Sequence, residues 1–340
     1  MNERHIFTSV TRIADLESGG FDIIKVPRSN WADADYVVTR VLGTPSARYG
    51  LELASGRIVE PMEGASVIGA LGTRAATLEA VGSWKDVGED GEMDMLTGAG
   101  LFGRATSVAH WISPMTTLAY VGHVARDGRT LGMGDFVLPV RPARLSVPVI
   151  LLVGTSMSAG KTTVGRTIIH ELKRSNLRVV GAKLTGAGRY RDVLSFQDAG
   201  ADAIIDFVDA GLPSTVVAKP RFDAAMEYMV SRIMANEPDV VVAEAGASPL
   251  EPYNGASAVA ALDGHICCSV LCASDPYAVL GVRTAFAFKP SLVAGPAANT
   301  QAGIDLVAEL TGLDAVNVFQ AASRTRLRAV LDDALAELLG

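Results

Sequence analysis

Gly160-Lys161-Thr162-Thr163 closes the segment Gly154-Thr155-Ser156-Met157-Ser158-Ala159-Gly160-Lys161-Thr162, where the most specific chemistry of the chain is concentrated. Glycine lets backbone amides approach an anion closely, and a lysine directly after it can reach the β- and γ-phosphates. The hydroxyl of Thr162 is placed to hold Mg²⁺. Gly154, Thr155, Ser158, Ala159, Gly160, Lys161, Thr162 and Thr163 are therefore the expected contacts of a nucleotide, taken as ATP with Mg²⁺. The usual spacing puts the first glycine at position 155, but here Thr155 stands there and the glycine is Gly154.

Three further residues can serve such a loop. Asp239-Val240-Val241-Val242-Ala243-Glu244 is an apolar run ending in an acid, the usual second support for Mg²⁺, followed by the small residues Ala245-Gly246-Ala247. Lys183 ends another apolar run and precedes Leu184-Thr185-Gly186-Ala187-Gly188. A second lysine there would stabilise charge on a transferring phosphoryl group. Asp192, beyond Arg189 and Arg191, adds a carboxylate that could face the metal.

At these residues the chain resembles the dethiobiotin synthetase family, whose loop reads Gly-Thr-Asp-Thr-x-x-Gly-Lys-Thr with the same early glycine. That family's Gly-Tyr-Lys-Pro and Arg-x-x-Asp-x-Leu-x-x-Gln are similar to Gly181-Ala182-Lys183-Leu184 and to the run from Arg189 through Asp192 and Leu194 to Gln197. Its Val-Glu-Gly-Ala-Gly is similar to Ala243-Glu244-Ala245-Gly246-Ala247. The resemblance implies Thr162, Asp192 and Glu244 as Mg²⁺ ligands and Lys161 and Lys183 as catalytic cations. It also implies Asn299, in Pro296-Ala297-Ala298-Asn299-Thr300, as a contact to the base. Ser156 replaces an acid or amide of that family and Ala187 a small hydroxyl residue, so its diamino-acid substrate is not carried over. Residues 147 to 320 are also similar to a P-loop family containing D-glutamate N-acetyltransferases, as in Gly200-Ala201-Asp202-Ala203-Ile204-Ile205-Asp206-Phe207.

Other patterns carry less. Gly98-Ala99-Gly100-Leu101-Phe102-Gly103 has dinucleotide-loop spacing but follows Glu92-Met93-Asp94-Met95, which lacks the continuous apolar character of a central parallel strand, so a glycine-rich turn is expected. Arg104, Thr106 and Ser107 beside it could line a substrate pocket. His110, Trp111 and His123 are expected to pack rather than catalyse. Cys267, Cys268 and Cys272 lie in one apolar run and are read as structural. Serine-hydrolase and zinc-peptidase motifs are absent.

The elements that must position these residues follow from hydrophobic rhythm. With 340 residues, two domains are expected. Three prolines between Pro139 and Pro148 mark a linker over 139–148. Residues 1–138 alternate short apolar runs with turn signals such as Asp127-Gly128, predicting a β-rich domain that shapes substrate specificity. Residues 149–340 alternate apolar strands with amphipathic helices, predicting an α/β P-loop domain with a mostly parallel sheet and helices on both faces. Strands are expected at 147–153, 177–182, 239–243, 266–273, 291–294 and 315–318.

A net charge of −7 argues against a nucleic-acid surface, and no apolar stretch is long enough to span a membrane. A cytoplasmic protein, paired as a homodimer or higher homo-oligomer, is expected. The leading expectation is a Mg-ATP-dependent ligase or phosphotransferase acting on a small carboxylate or amine substrate. An N-acyltransferase gripping coenzyme A phosphates and an NTPase switch or cofactor-assembly chaperone are the alternatives.

Overall fold

The computed structural model describes residues 4–43 and 50–336; residues 1–3, 44–49 and 337–340 of the two expected domains lie outside the described residues. By packing, the chain divides into two units. The first comprises Met1–Pro139 together with Ala187–Arg191 and Phe207–Val217, and the second comprises Val140–Gly186, Asp192–Asp206 and Ala218–Gly340.

The first unit is built on β1 (Tyr36–Val41), β2 (Ser66–Leu71), β3 (Glu92–Thr97), β4 (Leu101–Val108) and β5 (Thr117–Arg126). β1 runs antiparallel to both β2 and β5, and β3 antiparallel to both β5 and β4. A parallel pairing of β4 with β2, Leu101 beside Ala70 and Phe102 beside Leu71, closes these five strands on themselves. Alternation fills the interior, because Val37 and Val41, Val67 and Leu71, and Met93 and Met95 fall two or four residues apart and pack on Phe102 and Leu118. Glu92-Met93-Asp94-Met95 is thus an antiparallel strand with alternating faces. The glycine run after it is a turn into β4, with Gly100 at φ +92°. Asp127 and Gly128, at φ +51° and +76°, join β5 to the short strand Arg129–Thr130 as a tight hairpin.

The second unit holds a six-stranded sheet of β6 (Val149–Gly154), β7 (Val179–Thr185), β8 (Ala203–Asp206), β9 (Val240–Ala245), β10 (Ile266–Cys272) and β11 (Leu292–Ala294). Its order is β8-β7-β9-β6-β10-β11, and every pairing is parallel. β6 lies in the interior between β9 and β10, so its residues are all buried. That is why Val149-Ile150-Leu151-Leu152-Val153 is continuously apolar rather than alternating. The helices are α1 (Lys161–Lys173), α2 (Tyr190–Asp198), α3 (Lys219–Met234), α4 (Gly255–Ala261), α5 (Pro276–Phe286), α6 (Gln301–Thr311) and α7 (Ala321–Ala334). Val164, Ile168, Ile169 and Leu172 of α1 pack on β6 and on Phe196 of α2. Among the described residues no helix is long and apolar enough to cross a membrane.

The predicted strand at 315–318 is reduced to a single parallel bridge between Ala315 and Val293. Its partner strand ends at Ala294, and beyond the bridge the Asn317 side chain donates to Asn299 O at 2.9 Å and accepts from Phe319 N at 3.0 Å. β8, α2 and α4 are elements that hydrophobic rhythm did not indicate.

Candidate phosphate-binding site

All six strands of the second unit point the same way, so the loops after β6, β7 and β9 gather at one end of the sheet, where such folds place their ligands. β6 ends at Gly154, where Thr155 N donates to Cys272 O at 3.0 Å and Ser274 N donates to the Thr155 hydroxyl at 3.1 Å. The loop then enters α1 through Gly160, held at φ +88°, a conformation that costs a side-chain-bearing residue about 1 kcal/mol or more. Lys161 opens the helix with only 1% of its surface exposed and folds back, donating from Nζ to Ser156 O at 2.6 Å and Met157 O at 3.3 Å.

The displaced glycine follows from this fold-back. A Cβ on Gly154 would sit 2.5 Å from Lys161 Nζ and 2.8 Å from its Cδ. Glycine at 154 therefore gives the lysine its channel. Gly295, at φ +83°, makes a similar approach, since a Cβ there would stand 2.4 Å from Ala159 O. The segment leading to Asn299 thus packs on the phosphate loop. Asn299 itself is exposed and its carbonyl accepts from Asn317 Nδ2.

Thr162 and Glu244, 82 positions apart in sequence, meet: the Thr162 hydroxyl donates to Glu244 Oε2 at 3.0 Å. On β7, Lys183 stands in register with Glu244 of β9, and its Nζ lies 2.5 Å from Asp192 Oδ2. Gly246 keeps this corner tight, because a Cβ there would meet Thr185 O at 2.0 Å and Lys183 Cε at 3.0 Å. Lys183 and Glu244 are 5% and 3% exposed, so their charges act in a poorly screened setting.

Burial pushes the Lys161 ammonium below the ordinary lysine range, with the Glu244 carboxylate pulling the other way. Burial raises Glu244 above the usual carboxylate range, opposed by Lys183 and Lys161. At Lys183 burial is outweighed by Asp192 and Glu244, which leave it above its ordinary value. Cys272, in register with Gly154, is lifted by burial to about 12, against a downward pull from Lys161. It stays a neutral thiol in the wall of the site.

No protein-family model matches the chain, and no curated protein matches it. Among solved structures, chloroplast FtsY from Physcomitrella patens is similar at 15% identity and TM-score 0.36, over 52% of this chain and 59% of that one. A DUF1611 family protein from Anabaena variabilis is similar at 19% identity and TM-score 0.37, over 63% and 66%. A ParA family ATPase from Chlorobium tepidum is similar at 12% identity and TM-score 0.32, over 56% and 92%. The chain spans less than two thirds of the length of the first of these structures.

The residues themselves suit a nucleotide triphosphate with Mg²⁺. Gly154 and Gly160 shape a backbone cradle that side chains would fill or strain, and a hydroxyl and a carboxylate already touch where Mg²⁺ needs protein oxygens. Mg²⁺ takes one or two protein carboxylates and completes its shell with phosphate and water. Among the described residues no group of three or more His, Cys, Asp or Glu is placed to hold a metal ion. Lys161, Thr162, Lys183, Asp192 and Glu244 are thus brought together, with Asp192 against Lys183.

Asp206 escaped sequence reasoning as a site residue. It ends β8, is buried, stands in register with Lys183 and helps to hold that lysine charged. Ala203-Ile204-Ile205-Asp206 carries the same signal as the run ending in Glu244, an apolar strand closing on an acid. His123, by contrast, is a packed residue of the barrel, its ring 2.6 Å from the Tyr120 hydroxyl and 3.2 Å from Asp35.

Proposed function

We propose that the second unit binds Mg-ATP and uses it for phosphoryl transfer to a carboxylate or carbamate of a small metabolite, which an amine then attacks. The observation that carries the reading is the contact of Thr162 with Glu244 beside a buried Lys161. A loop used only as a structural turn has no reason to bury a lysine and a carboxylate at its mouth, since each charge costs several kcal/mol to desolvate. Thr162 and Glu244 would hold Mg²⁺, which draws charge from the phosphates. Lys161 would neutralise β- and γ-oxygens, and Lys183, kept charged by Asp192, would face the transferring group.

In the first step a substrate oxygen attacks the γ-phosphorus, the bond to the bridging oxygen breaks and ADP leaves. An amine nitrogen then attacks the acyl phosphate, and inorganic phosphate departs. The resemblance to dethiobiotin synthetases supports this order, and the two lysines supply the charge stabilisation it needs. One observation favours a second reading, an NTPase switch: Ala187–Arg191, directly after the strand that carries Lys183, fold within the first unit. In that reading the nucleotide state would act on the barrel.

Labelled ATP separates the possibilities. Metabolites bearing carboxylates and amines are screened for stimulated release of ADP and phosphate, with Lys161→Ala and Glu244→Ala as controls. Stimulation lost in both variants is the expected result. Product formed from acetyl-CoA with no ADP released would overturn the phosphoryl-transfer reading, and hydrolysis indifferent to every metabolite but dependent on a protein partner would favour the switch.

A further inference from the structure

The helix that carries Asp192 takes part of its capping from far away in sequence. α2 starts at Tyr190 after Gly186-Ala187-Gly188-Arg189, where none of the hydroxyl, Asp or Asn side chains that satisfy a helix start is present. Its first amides are met instead by Glu52, 138 positions earlier: Oε2 accepts from Tyr190 N at 2.7 Å and Oε1 from Arg191 N at 2.8 Å. The Ser9 hydroxyl donates to the same Oε2 at 2.5 Å. Tyr190 and Arg191 count with the first unit, as do Glu52 and Ser9.

Glu52 is 2% exposed, and a carboxylate so placed is tolerable only with its oxygens hydrogen-bonded and a positive partner near. Three donors and the positive end of a helix provide both. The Arg12 guanidinium adds a second hold, stacking 4.6 Å over the Tyr190 ring while paired with Asp209 at 2.8 Å. Asp192 is the next residue after Arg191, still in the first turn.

We infer that Glu52 is a positioning residue for the nucleotide site: by fixing the first two amides of α2, it fixes where Asp192 meets Lys183. The inference rests on the nucleotide reading above. Lys183 has little room to follow a displaced partner, because it is 5% exposed on a strand paired on both sides. A first turn released from Glu52 frays, since helix ends without caps open first, and the carboxylate of Asp192 then leaves Lys183. Lys183 would lose the ion pair that holds its ammonium in place at the site.

The test uses the full chain and an N-methylanthraniloyl derivative of ATP with Mg²⁺, its dissociation constant read by fluorescence. Glu52→Ala is expected to weaken binding by about tenfold, the worth of one charge-assisted hydrogen bond at the low end of its range. Glu52→Gln, which keeps the volume and one acceptor, should fall between Glu52→Ala and the natural protein. In an Asp192→Asn background, Glu52→Ala should add nothing, because its effect passes through that carboxylate. Hydrogen exchange over residues 190–198 should rise in Glu52→Ala without nucleotide.

Additive losses in the double variant, or faster exchange with unchanged affinity, would overturn the positioning role and leave Glu52 a structural cap. Lys161→Ala separates this from failure of the underlying reading. If the natural protein and Lys161→Ala bind the analogue equally, the nucleotide site itself is wrong and the inference falls with it. If only Lys161→Ala loses binding while Glu52→Ala keeps it, the inference alone fails.

Discussion

At the scale of residues, Lys161 and Glu244 are displaced from their ordinary titration in opposite directions by the same burial. In the free protein Lys161 loses its proton at lower pH than an ordinary lysine. A bound triphosphate favours the ammonium, so binding takes up a proton wherever the free lysine is neutral, and affinity falls as pH rises through the lowered value. Glu244 holds its proton to higher pH than an ordinary carboxyl. Mg²⁺ selects the carboxylate, so binding releases that proton, and affinity falls as pH drops through the raised value. A titration of Mg-ATP affinity from about pH 5 to 10 should therefore give a bell. Its alkaline limb should vanish in Lys161→Arg and its acid limb in Glu244→Gln; limbs that persist would assign them elsewhere. Gly154→Ala offers a geometric counterpart. The new methyl meets Lys161 at Nζ, 2.5 Å, and Cδ, 2.8 Å, a side chain that can shift, and the Ser156 carbonyl at 3.0 Å, which must give by a few tenths of an ångström. Denaturation should show a stability loss under about 1 kcal/mol. Nucleotide affinity should nevertheless fall as far as in Lys161→Ala.

At the scale of elements, close approaches between backbones are less forgiving. Gly246→Ala would set a methyl 2.0 Å from Thr185 O, where β7 and β9 are still paired after a shift of register, and backbone cannot rotate out of the way. Overpacking of this kind costs about 1–3 kcal/mol, measurable as a lowered denaturant midpoint at unchanged slope. Elements also decide what could be read from sequence. The strands of the second sheet were legible where burial on both faces leaves continuous apolar runs, as in Val240 to Ala243. The sequence could place Lys161 and Thr162 at the start of a helix after an apolar strand, and Glu244 near the end of another, where the structure has them. α2 was not, since its cap lies in Glu52 and no local signal opens it. The run from Ala315 to Val318 looked like a strand but meets a partner strand of only three residues and makes one bridge, with the Asn317 side chain accepting from Phe319 N, none of which composition displays.

At the scale of the whole molecule, sequence order and packing part company. Ala187–Arg191 and Phe207–Val217 interrupt the second unit in sequence yet count with the first in packing. Backbone and side chains both hold them: Gly188 N donates to Pro213 O at 2.9 Å, Ala187 bridges Ser214, and the Glu52 carboxylate takes the amides of Tyr190 and Arg191. A fragment of residues 140–340 would keep the hydrogen bonds between these two segments but lose those from Glu52, along with the Arg12 hold on Tyr190 and Asp209. Trypsin requires a locally unfolded backbone at an arginine, and cleavage tracks how often that backbone opens. Arg189 and Arg191 already have exposed side chains in the full chain, so only their backbone hold can protect them. Mild trypsin should therefore cut the fragment after Arg189 and Arg191 well before it cuts the full chain there, with mass spectrometry reading the sites. Glu52→Ala in the full chain should shift cleavage part of the way toward the fragment, since it removes only one of the holds. Equal resistance in fragment and full chain would mean that the two segments are held by their own half, and that the first unit ends in packing where it ends in sequence.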